Sequence, residues 1–126
     1  MKATIILADS AQVAAGKLYI MGGGWSVTEP KLALSAIAGK IEVPYSETNK
    51  KHTLKIELLD ADSKPVLVPV AKGSSPLIIG GEFSVGNSPD LPKGTPSDVP
   101  FAFSIKPLSL EPGKRYVWKL SIDAVT

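Results

Sequence analysis

The densest cluster of polar side chains in this sequence lies between residues 47 and 52. Its members are Glu47, Asn49, Lys50, Lys51 and His52, and His52 is the single histidine of the chain. A serine hydrolase needs a nucleophile, a base and an orienting acid within hydrogen-bond reach, and His52, Glu47 and a serine supply those residue types. The strand–turn–helix pattern that would present the serine is missing, however. We therefore predict that the chain is not an enzyme and keep these residues as a candidate binding surface.

A structural interpretation of the same segment stays open. Glu47 and Asn49 would fix a turn, while Lys50 and Lys51 would keep the beginning of a strand soluble. Functional residues concentrate on loops, which is the reason to test the segment for binding.

The stretch from Gly86 to Asp98 is a second candidate surface, because it is dense in Gly, Pro, Ser and Asp. Long loops without a helix or strand pattern are usually functional or disordered. Its prolines Pro89, Pro92 and Pro96 restrict the unbound segment and lower the ordering cost of binding. Asp90 and Lys93 join the candidate binding residues for this reason.

Asp60 and Asp62, with Asp90 or Asp98, suggest a calcium site, because calcium takes six or more oxygen ligands. The alternative is a plain hairpin turn over 60–65, since Asp and Pro are both common turn residues. The spacing also lacks the acidic density of a dedicated calcium loop. We predict no metal site and keep Asp60 and Asp62 as the weaker alternative.

The three glycines at 22–24 follow a strand pattern and precede Trp25. A phosphate-binding loop would run into a helix, which the residues after Trp25 do not predict. The simpler interpretation is that the glycines mark a β-bulge, a sharp bend or a close approach of the backbone, and a bulge would let Trp25 fold over the edge of the core.

Composition limits the classes of protein that fit. The 126 residues include no cysteine and carry a formal charge of +2, which excludes thiol chemistry and predicts no nucleic-acid partner. The apolar run after Lys2 is ended by Asp9, too early for a secretory leader, and no segment is long enough to span a membrane. We expect a cytoplasmic protein of one domain, covering 1–126, without a cofactor.

Short alternating runs separated by turn residues predict an all-β fold. The runs are Lys2 to Ala8, Lys17 to Met21, Leu32 to Val43, His52 to Leu58, Val66 to Val68, Leu77 to Val85, Val99 to Ile105 and Arg115 to Asp123. Leu32 to Val43 changes phase and is interpreted as one bent strand or two short ones. The stretch from Asp9 to Gly16 has the cap and stop residues of a helical turn. About eight strands of this kind predict an antiparallel β-sandwich.

The approach to Tyr116, from Leu110 to Arg115, resembles the tyrosine corner of immunoglobulin-like and fibronectin-like sandwiches. In that motif the tyrosine hydroxyl bonds to backbone a few residues upstream. The chain ends soon after this strand, so the strand order must differ from theirs, and a C2-like topology is equally open. Trp118 and Trp25 are predicted to have structural roles in the core.

The whole chain also resembles a family of short bacterial proteins that is classed as a domain of unknown function. The resemblance rests on 16–19 (GKLY) with 22–25 (GGGW), on 43–45 (VPY) with 47–49 (ETN) and His52, and on 116–123 (YVWKLSID). It implies a stand-alone bacterial β-protein and supplies no activity.

By elimination, the sequence favours a non-catalytic binding or structural module that acts through protein–protein contacts or self-association. A calcium- or anion-binding module of the C2 type is the alternative, and a hydrolase using His52 comes third.

Overall fold

The computed structural model describes residues 1–86 and 90–124, which form two compact units. The first unit comprises the described residues of Met1–Asn49 and Val85–Leu110, and the second those of Lys50–Ser84 and Glu111–Thr126. The single domain expected from the length stays a prediction.

All regular structure in the described residues is β-strand, apart from one 3-10 turn at Tyr45–Glu47. The strands are β1 (Lys2–Ala14), β2 (Lys17–Gly23), β3 (Lys31–Leu32), β4 (Ser35–Val43), β5 (His52–Asp60), β6 (Leu67–Val70), β7 (Gly73–Pro76), β8 (Ile78–Phe83), β9 (Ser97–Ile105), β10 (Leu108–Ser109) and β11 (Tyr116–Ile122). Their pairings are antiparallel. The predicted all-β antiparallel class is confirmed. The described residues contain no helix with the length and apolar character needed to cross a membrane.

The first unit is built on a curled four-stranded sheet in the order β2-β1-β4-β9, accompanied by the short pair β10-β3. The central strand β4 is buried on both faces over its first five residues. These are Ile37 and the small residues on either side of it. Gly39 is required there, because a Cβ would collide with the Thr4 carbonyl oxygen and lie 2.6 Å from the Phe101 ring. The predicted run from Leu32 to Val43 is divided into two strands, because Leu32 ends β3 and β4 begins at Ser35. This is one of the two arrangements that the sequence predicted.

The helical turn predicted between Asp9 and Gly16 is wrong. β1 continues without a break to Ala14 and returns as β2 through the two residues Ala15 (φ 51°) and Gly16 (φ 72°). Two successive positive φ angles are the geometry of a type I′ hairpin, whose twist matches that of the flanking strands. The capping residues at Asp9 and Ser10 are local signals, and the pairing of β1 with β2 overrides them.

The glycines at 22–24 do not form the predicted bulge. Ala8 pairs with Gly23 and Ser10 with Met21, so the register passes through this point without an extra residue. Gly22 has φ +62°, and a Cβ at this position would collide with the Asp9 carboxylate. Glycine is therefore needed for a left-handed backbone and close approach of Asp9, and not for a bulge.

Trp25 directly follows these glycines and is half-buried. Its indole Nε1 is buried, and no hydrogen-bond partner for it is found among the described residues. The apolar ring is thus partly covered, as a structural role for Trp25 requires.

The second unit contains the three-stranded sheet β11-β5-β8 and the hairpin β6-β7. Alternate side chains of β5, namely Leu54, Ile56 and Leu58, are buried, as the sequence predicted. Complete burial of one such side chain contributes roughly 1.5–3 kcal/mol. Trp118 is half-buried and pairs with Leu58 in the register of β11 and β5.

The tyrosine-corner hydrogen bond is present. The backbone N–H of Glu111 donates to the Tyr116 hydroxyl oxygen at 3.0 Å, five residues before the tyrosine. This bond ties the approach segment to the beginning of β11, as the resemblance implied.

Candidate functional site

The first half of the candidate segment is a turn that is stabilised by hydrogen bonds to backbone carbonyl groups. Thr48 donates from its hydroxyl to the Tyr45 carbonyl oxygen at 2.6 Å, and it is buried. Asn49 adopts a left-handed backbone (φ 62°), and its N–H donates to the Val85 carbonyl oxygen at 2.8 Å. Asn49 therefore acts as a turn residue, which supports the structural interpretation for this half.

The lysines of the candidate segment and the loop residues Asp90 and Lys93 are exposed. Lys51 lies 3.5 Å from a carboxylate oxygen of Glu82, and both side chains are mostly in solvent. Exposed pairs of this kind contribute about 0–1 kcal/mol, because water screens the charges. Their role in binding stays a prediction.

The candidate loop 86–98 is shorter than predicted, because Ser97 and Asp98 already belong to β9. Residues 87–89, which include Pro89, lie outside the described part of the chain. Thr95 donates from both its N–H and its hydroxyl to the Pro92 carbonyl oxygen, at 3.1 and 2.6 Å. The part of the loop next to β9 is therefore an ordinary hydrogen-bonded turn.

His52 is the best-defined polar site in the second unit. It begins β5, is buried, and its ring lies 5.4 Å from the ring of Phe83. Its Nδ1 is 2.7 Å from Oδ2 of Asp123, which directly follows β11. The Thr53 N–H donates to the other carboxylate oxygen at 2.9 Å, and the Asp123 N–H donates to the Thr53 carbonyl oxygen at 2.9 Å. Asp123 thus joins the beginning of β5 to the end of β11.

The hydrogen bond from His52 is the main cause that lowers the pKa of the Asp123 carboxyl, and the Thr53 N–H acts in the same direction. Bonds that stabilise the charged form of an acid lower its pKa. The carboxylate itself is partly in solvent, whereas the imidazole is almost fully covered. A general base has to reach a substrate proton, so an imidazole held in this way acts first as a structural group.

Sequence reasoning missed Asp123 as the acid that contacts His52. The two residues are 71 positions apart, and only the register of β11 against β5 brings them together. The available sequence signal was the position of Asp123 at the end of the final alternating run. The structure places it opposite the beginning of β5.

Asp60 closes the predicted hairpin turn. Its Oδ1 accepts the N–H groups of Asp62 and Lys64, each at 2.9 Å, while the Ser63 N–H donates to its carbonyl oxygen at 3.0 Å. Side chains of Asp commonly stabilise turns in this way. The described residues contain no group of three or more His, Cys, Asp or Glu side chains placed to hold a metal ion.

A surface that sequence reasoning did not single out is the far end of the β1–β2 hairpin. β1 pairs with β4 only through Lys2–Ala8, so residues 10–21 form a two-stranded extension of the sheet, which we call the β-arm. Its sequence signal was the alternation of the polar residues Ser10 and Gln12 with the apolar residues Ala11 and Val13 beyond Asp9.

The chain is thus an all-β protein of antiparallel sheets, with a buried histidine bonded to a partly exposed aspartate and an exposed hairpin extension. It belongs to the Family of unknown function (DUF6941), whose model matches residues 3–125. The predicted membership of a family of unknown function is confirmed. Comparison with curated proteins and with solved structures finds no match.

Proposed function

We propose that the chain is a non-catalytic binding module that acts through protein–protein contacts, and that the β-arm is its main contact surface. The observation that carries this proposal is the exposure of an almost uncharged hairpin. Between Ser10 and Met21 the only charged side chain is Lys17.

The β-arm exposes large apolar side chains on both of its faces. Tyr19 and Met21 are 51% and 72% exposed on one face, and Val13 is 42% exposed on the other. A two-stranded hairpin by itself is marginally stable in water, because it buries little apolar surface. A partner that covers these side chains would gain about 25 cal/mol for each Å² of apolar surface removed from water.

The residue types also suit a binding surface. Tyrosine supplies a large rigid contact area with a polar tip, and methionine adapts its shape to a partner. β2 is in addition the outer strand of its sheet, so its free side is open to pairing with a strand of another protein. The β-arm therefore offers both apolar anchors and a backbone edge.

The buried position of His52 and the use of Asp60 within its own turn favour binding over hydrolysis or calcium binding. The arrangement of the sheets as an immunoglobulin-like or C2-like sandwich, a bacterial origin and a cytoplasmic location remain predictions of the sequence. Glu47, Lys50, Lys51, Asp90 and Lys93 remain candidate binding residues to test.

The proposal is tested by capturing the tagged chain from its native cells at low salt and weighing the product by native mass spectrometry. We expect a heavier complex that disappears when Tyr19 and Met21 are both changed to Ser. Both side chains are exposed, so the melting temperature should stay within about 1 °C of the wild-type value, as for most surface changes.

The matched control is Glu47→Ala with Lys50→Ala, in the loop that sequence analysis selected. Retention of the complex in this control places the contact on the β-arm. Loss of the complex only in the loop variant would instead transfer the binding role to the 47–52 segment, and a complex that survives both changes would contradict the proposal for either surface.

A further inference from the structure

The second unit carries an open groove of about 590 Å³ beside β11. The residues that line it are Glu57, Leu59, Asp60, Ala61, Ser63, Pro65, Val117, Trp118, Lys119 and Leu120. Four of these are consecutive residues of β11. Leu59 and Glu57 are the cross-strand partners of Val117 and Lys119, and opposite residues of paired strands share a face. The groove therefore lies over this face of β11 and β5, and Trp118 and Leu120, whose side chains point to the other face, line it through their backbone.

The register shows which backbone groups of β11 point toward β5 and which point toward the outer edge of the sheet. The Asp123 N–H bonds to the Thr53 carbonyl, so this pair is a hydrogen-bonded pair of the ladder between β11 and β5. Such pairs alternate along an antiparallel ladder, which makes Val117 and Lys119 the residues whose backbone groups point toward β5. The N–H and C=O groups of Trp118 and Leu120 point the other way, toward the outer edge.

The hydrogen bonds on the side of β5 away from β11 confirm that odd- and even-numbered residues of β5 bond in opposite directions. The Leu58 N–H donates to the Leu77 carbonyl oxygen, and the Leu58 carbonyl accepts the Val66 N–H. The even-numbered residues of β5 therefore bond away from β11. β11 is the outer strand of its sheet, and within the described part of the chain no backbone partner is found for the outward groups of Trp118 and Leu120.

The face of β11 and β5 that lines the groove is apolar at one end, where the Asp60 carboxylate is bonded within its own turn. It carries charged side chains at the other end. Leu59 and Val117 are cross-strand partners, Pro65 lies beside them in the lining, and Val117 is 53% exposed. At the other end, Glu57 is shared by Lys55 at 3.6 Å and Lys119 at 4.0 Å. Two ammonium groups around one carboxylate leave an excess of one positive charge near Lys119.

From these observations we propose that β11 accepts an extended segment of a partner protein as an added strand. The outward N–H and C=O groups of Trp118 and Leu120 supply the main-chain hydrogen bonds. Side chains that lie opposite each other on paired strands contact one another, so the residue opposite Val117 is apolar and the residue opposite Lys119 is acidic. The partner segment therefore carries an apolar and an acidic residue two positions apart.

This site is separate from the β-arm and does not depend on the proposed function of that hairpin. Strand addition uses backbone bonds for affinity and alternate side chains for specificity.

The test uses the full chain and the synthetic peptide Ac-TETVTET-NH2, which places an acidic residue two positions from valine in both chain directions. Titration is followed through the backbone amide signals in NMR spectra. We expect saturable shifts centred on Trp118 and Leu120, and binding of the lysine analogue Ac-TKTVTKT-NH2 that is about tenfold weaker, since like charges oppose each other across an interface. The Lys119→Glu variant should reverse the order of the two peptides.

The control variant is Lys72→Glu, which changes an exposed lysine in the turn between β6 and β7 and should leave both affinities unchanged. A peptide with methylated backbone nitrogens should not bind, because it is unable to pair as a strand. The proposal is overturned if the methylated peptide binds equally well, or if Lys119→Glu folds and changes nothing. It is also overturned if the Trp118 and Leu120 signals shift with protein concentration alone, because a second copy would then be the occupant.

Discussion

Asp123 and His52 join the end of β11 to the beginning of β5 through side-chain hydrogen bonds. The carboxylate accepts from the imidazole side and from the Thr53 N–H at the same time, beyond the last residue of β11. Asp123 also has φ 53° and Ala124 φ 64°, so the chain turns away at this point with a backbone that few residues adopt. The side chain of Asp123 therefore links β5 to the point where the chain leaves β11.

The lowered pKa of Asp123 predicts a specific dependence of stability on pH. The pKa is lower in the folded protein than in the unfolded chain, so the stabilisation is complete above the ordinary value of about 4 and is lost as the pH falls through the folded pKa. Asp123→Asn should lower the melting temperature at pH 7, and the difference from wild type should narrow below about pH 4. Thermal melts at a series of pH values measure both.

Asp62→Asn is the matched control, because Asp62 is an exposed acid of the same unit. Its melting temperature should follow that of the wild type across the series. A constant difference between Asp123→Asn and wild type from pH 7 to pH 2 would show that the charge of Asp123 has no part in the stabilisation.

At the scale of the strands, close approach in β4 demands glycine at one position. A Cβ at Gly39 would meet the Thr4 carbonyl and the Phe101 ring inside the first unit. Gly39→Ala should destabilise the protein by about 1–3 kcal/mol, because a packed interior has no room for the extra atom. Denaturant unfolding measures the loss.

Gly81→Ala is the comparison for this prediction, since Gly81 also lies in a strand but has open space within 4 Å of the position that a Cβ would occupy. Alanine at Gly81 should be neutral, or stabilising by up to about 1 kcal/mol through the restricted unfolded chain. Equal effects at Gly39 and Gly81 would mean that strand propensity, and not the contact with Thr4 and Phe101, determines the result.

The strands differ in how far their sequences predict them. β5 was predicted well because Leu54, Ile56 and Leu58 alternate with Thr53, Lys55 and Glu57, and burial of one face imposes that period. The far end of β1 was mistaken for a helical turn because Asp9, Ser10 and Gly16 are local capping signals, whereas its pairing with β2 is decided by the hairpin as a whole. The pairing of His52 with Asp123 depends on register over 71 positions, which no local pattern contains.

For the whole molecule, the two proposed surfaces occupy different units and are distinct in kind. The β-arm in the first unit offers exposed apolar side chains, and β11 in the second unit offers an open backbone edge beside the charges of Lys55, Glu57 and Lys119. Neither surface includes residues of the 47–52 segment, although Asp60 of the predicted turn lies beside the second one. Strand pairing decides which segments are left at an edge, so composition alone gives these surfaces little signal.

The exposure of the β-arm predicts that hydrogen exchange differs between segments of the first unit. Local opening is easiest where few apolar contacts are buried and backbone bonds face solvent, and residues 10–21 meet both conditions. Their amides should exchange with deuterium faster than those of Lys2–Ala8 in the same strand and those of β4, by at least about tenfold. Hydrogen exchange followed by mass spectrometry compares the three segments in one experiment. Slow exchange of residues 10–21 at every protein concentration would contradict an exposed hairpin, whereas protection that grows with concentration would identify a second copy as the partner of the β-arm.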